Sequence, residues 1–233
     1  FTKYNNVYIN TGIGLKIIVT DNEDKNIVSG QAIARSEFGI TGGLFWSPDG
    51  GSLAYYQKDE TNVHDYPLLD NSVTPGALTS IKYPMAGQSS EKAKVGIYNI
   101  ANRSTSFITP RNGEENYLTN VSWTKDNKYV VLAEVNRGQN LMWLNVYDAS
   151  NGKFVRTLFE EKNDKWIEPE HPAFFLDGKA NEFVWISERD GYNNLYHYNF
   201  DGGLIKKLTS NEFVAKDIVD YKNGKVFFTA TGE

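Results

Sequence analysis

Glu37 is the residue best placed for ligand chemistry: it stands in RSEFGITGG, directly ahead of a loop with glycines at 39, 42 and 43. A carboxylate accepts charge-assisted hydrogen bonds, from an ammonium for example, and a loop on a repeated β-scaffold is where a ligand-facing residue is held. Its neighbour Ser36 carries a hydroxyl that could contact the same ligand or cap a turn. Other reactive side chains do not assemble. The histidines, His64, His171 and His197, have no GxSxG nucleophile elbow to serve, and the absence of cysteine excludes disulfides, thiolate zinc sites and a cysteine nucleophile. Asp164, Glu168, Glu170 and His171 have the side chains of metal ligands, but Pro169 and Pro172 describe a turn and no matching ligands appear elsewhere. No strong Asp/Glu pair suggests a glycosidase. No cofactor and no metal is expected.

The elements that must position Glu37 are strands. LFWSPDGGSLAYY, after the glycine loop, reads as a hairpin: strand, a Ser-Pro-Asp-Gly turn, strand. The order aromatic, hydroxyl, polar turn, apolar strand returns in VSWTKDNKYVVLAEV, and related copies follow in AFFLDGKANEFVWIS and IVDYKNGKVFFTA. The aligned aromatics Trp46, Trp123, Phe175 and Tyr221 are spaced by 77, 52 and 46 residues, and the first interval contains the long polar stretch from Gln57 to Ser80. Without that excursion the spacing sits near the roughly 40–50 residues of a four-stranded propeller blade. A sandwich gives no reason for the order to recur, so the expected fold is an all-β propeller of four-stranded antiparallel blades. About four blades and part-blades are visible. Both ends read as cuts, which predicts an arc of a larger, eight-bladed propeller. Ahead of the glycine loop, NNVYIN, LKIIVT and IVSGQAIA read as short strands, and the polar excursion as a carrier of function or an interface.

Composition agrees with strands. Of the 233 residues, 14% are aromatic, and aromatic side chains pack well across a pleated sheet. The net charge of -5, without a basic block, points away from nucleic acid and anionic membrane surfaces. No membrane span is expected, and the sequons at Asn102 and Asn120 matter only in a glycosylating pathway.

Several segments in order carry a resemblance: SEFGITGGLFWSPDGGSLAYYQKDETNV, the YPMAG turn leading into KVGIYNI, VSWTKDN, WIEPEHPAFFLDG and ISERDGYNNLYHYNFDG. From about Ile17 to Thr229 the chain resembles the β-propeller domain of the dipeptidyl peptidase IV family of prolyl-oligopeptidase-like serine peptidases. WSPDG alone is common among propellers; the ordered set is far more specific.

The resemblance implies a recognition domain whose partners are a peptide with a free N-terminus, a covalently linked α/β-hydrolase domain outside this chain that holds the Ser, Asp and His, and a second copy in a homodimer. It also implies removal of Xaa-Pro or Xaa-Ala dipeptides, and export to a bacterial periplasm or cell envelope. The family's amine-binding position corresponds to Glu37. Ser36 stands where a second Glu is frequent, so the resemblance implies a clamp with one carboxylate. Trp166 and Ile167, followed by Glu168, match a loop that lines the substrate region near the second residue. Met85 and Ser90-Glu91 depart from the usual Lys and Asn-Pro. A different class of function, a stand-alone propeller used for binding, would keep the fold without the chemistry.

Overall fold

Each copy of the repeated unit folds as an antiparallel hairpin. Trp46 pairs with Leu53, Trp123 with Val130, Phe175 with Phe183 and Tyr221 with Val226. The recurring aromatic therefore closes, or nearly closes, the first strand of each hairpin. The computed structural model describes residues 1–232.

Strands β1 (Thr2–Lys3), β2 (Asn6–Asn10) and β3 (Lys16–Ile18) form a three-stranded sheet. Next come β4 (Ile27–Ser29), β5 (Leu44–Trp46) and β6 (Ser52–Asp59), then a separate hairpin of β7 (Asp65–Asp70) and β8 (Ala77–Lys82). Strands β9 (Lys92–Asn99) and β10 (Ser104–Phe107) complete the second sheet, in the order β10-β9-β6 with both β4 and β5 on the far side of β6. Strands β11 (Tyr117–Trp123), β12 (Tyr129–Val135), β13 (Leu141–Asp148) and β14 (Phe154–Lys162) pair in sequence order. So do β15 (Phe174–Phe175), β16 (Phe183–Ser187), β17 (Asn194–Tyr198) and β18 (Leu204–Lys207). A two-stranded sheet of β19 (Ala215–Lys222) and β20 (Lys225–Ala230) follows.

These successive antiparallel sheets are blades of a β-propeller. The repeat predicts about four; the described residues form three four-stranded blades, counting β4 and β5 as one strand position, with a three-stranded and a two-stranded sheet. The fourth copy, IVDYKNGKVFFTA, falls in that last two-stranded sheet. Among the described residues no helix is long and apolar enough to cross a membrane.

The hairpin turns tie neighbouring blades together. The Asp49 N–H donates to Asn127 Oδ1 (3.0 Å), Asn181 Nδ2 donates to Asp126 Oδ2 (3.2 Å), and Lys125 pairs with Asp177 (2.7 Å). Trp123 Nε1 also reaches back to the Phe45 carbonyl at 3.0 Å. Beneath these contacts one apolar cluster runs through the three four-stranded blades and includes Tyr56, Leu132 and Trp185. Burying a large side chain of this kind stabilises by roughly 1.5–3 kcal/mol, so the inter-blade seams are mainly apolar.

Two expectations change in detail. IVSGQAIA is strand only at Ile27–Ser29, because Gly30 turns away with φ +76°. The polar excursion begins later than the sequence suggests: Gln57–Asp59 still belong to β6, paired with β4 on one side and β9 on the other.

Candidate functional site

The innermost strand of the second sheet is split, and Glu37 lies in the split. Strand β4 pairs with residues 57–59 of β6 and β5 with residues 53–55, leaving Tyr56 between them. The Gly30 N–H donates to the Tyr56 carbonyl (2.7 Å) and the Tyr56 N–H donates to the Gly43 carbonyl (3.0 Å). Residues 30–43 thus leave and rejoin the sheet across one residue. Only glycine fits at the rejoining point, since a Cβ on Gly43 would lie 2.3 Å from the Gln31 carbonyl oxygen. In the next blade the equivalent place holds a mere bulge at Asn120, where the β11–β12 register shifts.

Three apolar loop side chains anchor the excursion. Ile33, Phe38 and Ile40 are buried in the inter-blade core, while Arg35, Ser36 and Glu37 are exposed. The backbone between them is a tight left-handed turn: Ala34, Arg35, Ser36 and Phe38 have φ of 49°, 52°, 66° and 58°. Each such residue costs of the order of 1–3 kcal/mol, which surrounding contacts must offset. Local bonds supply part, from the Ser36 N–H to the Ile33 carbonyl and from the Glu37 N–H to the Ala34 carbonyl, both 3.0 Å. Glu91 supplies another, its Oε1 accepting from the Ala34 N–H at 2.7 Å.

Glu37 opens onto a cleft of about 210 Å³. The same cleft is lined by Glu114 and Glu115 from the loop after β10, and by Arg137 from the β12–β13 turn. Tyr83, just after β8, forms another wall and lies under the Arg35 guanidinium, 4.8 Å from the ring centre. Arg137 covers the Tyr117 ring at 4.5 Å, and that ring packs on Phe38 with centroids 5.0 Å apart. Glu37 itself makes no ion pair among the described residues, whereas Glu91 pairs with Lys58 and Glu115 with Lys92. An unpaired carboxylate at the mouth of a cleft suits a cationic ligand group. Ser36 is exposed beside the cleft and is not part of its wall.

Trp166 and Ile167 face a second cleft, of about 240 Å³, with Glu160, Glu188 and Arg189. Trp166 is 56% exposed, but Ile167 is 7% exposed and joins the inter-blade core. The Ile167 N–H donates to the Gln139 carbonyl at 2.6 Å, so the turn that gives Arg137 to the first cleft also holds Ile167 at the second. The following Pro169 carbonyl accepts from Asn120 Nδ2 at 2.6 Å, which buries the Asn120 sequon and leaves Asn102 exposed. Arg189 is tied to strands on both sides of the cleft. Its Nη2 donates to Glu161 Oε1 (2.5 Å), its Nη1 to the Tyr198 hydroxyl (2.6 Å) and its Nε to Ser187 Oγ (3.0 Å), and it stacks over Tyr196.

Sequence reasoning does not find one buried carboxylate, which holds the segment leading to the first cleft. Glu134, fully buried on β12, accepts from the Arg111 N–H (3.1 Å), the Asn112 N–H (2.9 Å), Asn145 Nδ2 (2.7 Å) and the Tyr147 hydroxyl. Burial, and then the Glu134 charge, push the Tyr147 phenol well above its usual range. The arrangement pins the loop that carries Glu114 and Glu115. Glu91, Glu114, Glu115 and Arg137 also surround Glu37 without a sequence signal, since they come from segments distant in the chain. Among the described residues no group of three or more His, Cys, Asp or Glu is arranged to hold a metal ion.

Comparison with known proteins agrees with this architecture. Residues 1–233 match the model of the dipeptidyl peptidase IV (DPP IV) N-terminal region. A Tuber melanosporum protein assigned as dipeptidyl-aminopeptidase B is 30% identical over 220 residues, covering 81% of this chain and 24% of that protein. A crystal structure from Bacteroides ovatus, assigned as a dipeptidyl aminopeptidase IV, superposes with a TM-score of 0.83 at 39% identity, over 92% of this chain and 33% of that one. Porphyromonas gingivalis dipeptidyl peptidase 4 shares the fold with a TM-score of 0.86 at 22% identity, over 99% of this chain and 33% of that one. The chain spans about a quarter to a third of the length of these relatives. By its match from end to end and by its blades, the chain belongs to the dipeptidyl peptidase IV N-terminal region family.

Proposed function

We propose that this chain is the substrate-gating, amine-recognising propeller of a serine exopeptidase that removes Xaa-Pro or Xaa-Ala dipeptides. Glu37 receives the α-ammonium of the peptide, and a linked α/β-hydrolase domain supplies the nucleophile at a fixed distance. Binding energy from the remote ammonium then orients the reacting bond. The observation that carries this reading is Glu37 itself: an exposed carboxylate without an ion-pair partner, aimed at a cleft by a loop whose flanking residues are locked in the core. Its single-carboxylate clamp shares the cleft with Glu114 and Glu115, carboxylates of the kind that Ser36 does not supply. Trp166, with Ile167 behind it, lines the region next to the second substrate residue. The reading also includes export to the periplasm or cell envelope and a homodimer.

The test is Glu37→Gln in the full-length protein, assayed with a Gly-Pro amide. We expect KM to rise or turnover to fall by roughly 10–100-fold, the scale of a lost hydrogen bond to a charged group. Unchanged kinetics would remove the assignment.

A further inference from the structure

Glu91 acts on the candidate site from 57 residues away in the chain. Its side chain is 14% exposed, and one oxygen, Oε1, accepts from the Ala34 N–H at 2.7 Å. The other, Oε2, lies 3.3 Å from Lys58 Nζ, and Lys58, 12% exposed on β6, is itself held by Glu60 at 2.8 Å. A tether therefore runs from the body of the blade, through Lys58 and Glu91, to the first residue of the left-handed turn that ends in Glu37. The other bonds of that turn are internal to the loop: Ser36 N–H to Ile33, Glu37 N–H to Ala34 and Ile40 N–H to Glu37. Internal bonds hold the turn's shape. Its orientation on the blade rests on the core anchors Ile33 and Phe38 that flank it and on this tether.

We propose that Glu91 is the positioning residue for Glu37, holding the left-handed Ala34–Ser36 turn so that the Glu37 carboxylate meets the substrate ammonium. The proposal rests on the amine-binding reading of Glu37 and adds to it a side chain that touches no substrate. Its chemistry is specific: an acceptor oxygen is needed at the Ala34 N–H, and Lys58 needs only to keep that oxygen in place. A neutral amide oxygen can meet the first need, whereas an aliphatic side chain cannot. If Glu91 instead bound the ammonium directly, glutamine would fail as badly as leucine, because the charge would be lost in both.

The experiment compares Glu91→Leu, Glu91→Gln and Glu37→Gln in the full-length protein. Two rates are read for each: kcat/KM for a Gly-Pro amide, which requires the amine, and turnover of p-nitrophenyl acetate, which has none. We expect Glu91→Leu to lower the ratio of the first to the second about tenfold, equivalent to about 1.4 kcal/mol, chiefly through KM. Glu91→Gln should recover only part of that loss: its amide oxygen can still accept from the Ala34 N–H, but its NH2 cannot accept from Lys58. A general collapse of structure would lower both rates together and leave the ratio intact, which would overturn the proposal. So would equal damage from glutamine and leucine. If Glu37→Gln lowers the ratio but Glu91→Leu does not, the positioning role fails and the amine-binding reading stands; if Glu37→Gln leaves the ratio unchanged, both fall. Should Glu91→Leu not fold, Lys58→Met releases the same carboxylate and should lower the ratio severalfold, and an unchanged ratio overturns the proposal.

Discussion

Gly39 rests directly on the backbone of Glu170: a Cβ at Gly39 would lie 2.0 Å from the Glu170 carbonyl oxygen. The contact joins the loop that presents Glu37 to the segment that carries Trp166 and Ile167, although the two come from different blades. Asn120, bonded to the Pro169 carbonyl, locks the same seam from below. The two candidate recognition segments therefore form one body, with separate clefts on either side of the β12–β13 turn. Gly39→Ala tests this. Its φ of +66° alone makes alanine unfavourable by about 1 kcal/mol, and the clash with backbone cannot be relieved by a rotamer change. The variant should melt several degrees lower and lose kcat/KM for dipeptidyl amides; a wild-type melting temperature and wild-type kinetics would mean the contact is not made.

Glu134 predicts a stability effect of a different origin. Removing the carboxylate takes the acceptor from the Asn112 N–H, an Asn145 Nδ2 hydrogen and the Tyr147 hydroxyl, while the Arg111 N–H keeps only its bond to the Tyr147 oxygen at 3.0 Å. Glu134→Ala should cost roughly 2–4 kcal/mol, because each orphaned buried donor costs about 1–3 kcal/mol before relaxation. Tyr147→Phe, which removes one donor and leaves the acceptor satisfied by three others, should cost only about 1 kcal/mol. Denaturant midpoints of the two variants compare these values directly. A smaller loss for Glu134→Ala than for Tyr147→Phe would contradict the pin.

The fold was legible in the sequence because it is repeated locally. Trp46, Trp123, Phe175 and Tyr221 mark equivalent hairpins since turn chemistry and strand alternation lie within a dozen residues of each. IVSGQAIA misleads for a local reason, too: its apolar spacing continues past Gly30, but Ile33 is buried as a loop anchor rather than as a strand residue. The long polar excursion hides a hairpin because β7 and β8 expose apolar residues such as Leu69 and Leu78, so there is no buried face to impose alternation. Glu37 stood out by its glycine loop and its family position. Lys58, Glu91 and Glu134 could not stand out, because each owes its role to contacts between segments far apart in the chain.

Trp166 and Ile167 adjoin in sequence and should separate in experiment. Ile167 is 7% exposed in the inter-blade core, so Ile167→Ala should cost about 2–5 kcal/mol, the range for a truncated core aliphatic. Trp166 is 56% exposed at the rim of the second cleft, and Trp166→Ala should change stability by no more than about 0.5 kcal/mol. Its effect belongs to substrate: a change in KM that depends on the residue at the second substrate position. Equal KM changes across Pro, Ala and bulkier residues there would remove Trp166 from that role.

Glu188 shares the second cleft and carries a dependence on pH. Burial first, and then the charges of Glu168, Glu170 and Glu161, raise its carboxyl above the ordinary value of 4.5. A carboxyl that binds its proton more tightly in the folded state costs nothing while both states are protonated. The penalty grows as pH rises from about 4.5 through the folded-state value and is then constant. Glu188→Gln, which keeps the shape and removes the charge, should therefore raise the melting temperature at pH 7, and the gain should disappear below about pH 4.5. Because the Glu188 carboxyl is only partly shielded from solvent, the gain should be small and should shrink further as salt screens the neighbouring carboxylates. Thermal scans at pH 7 and pH 4, each at low and high salt, measure all of this. A glutamine variant that melts below the wild type at pH 7 would mean that the Arg189 guanidinium, not the three carboxylates, dominates the field at this position.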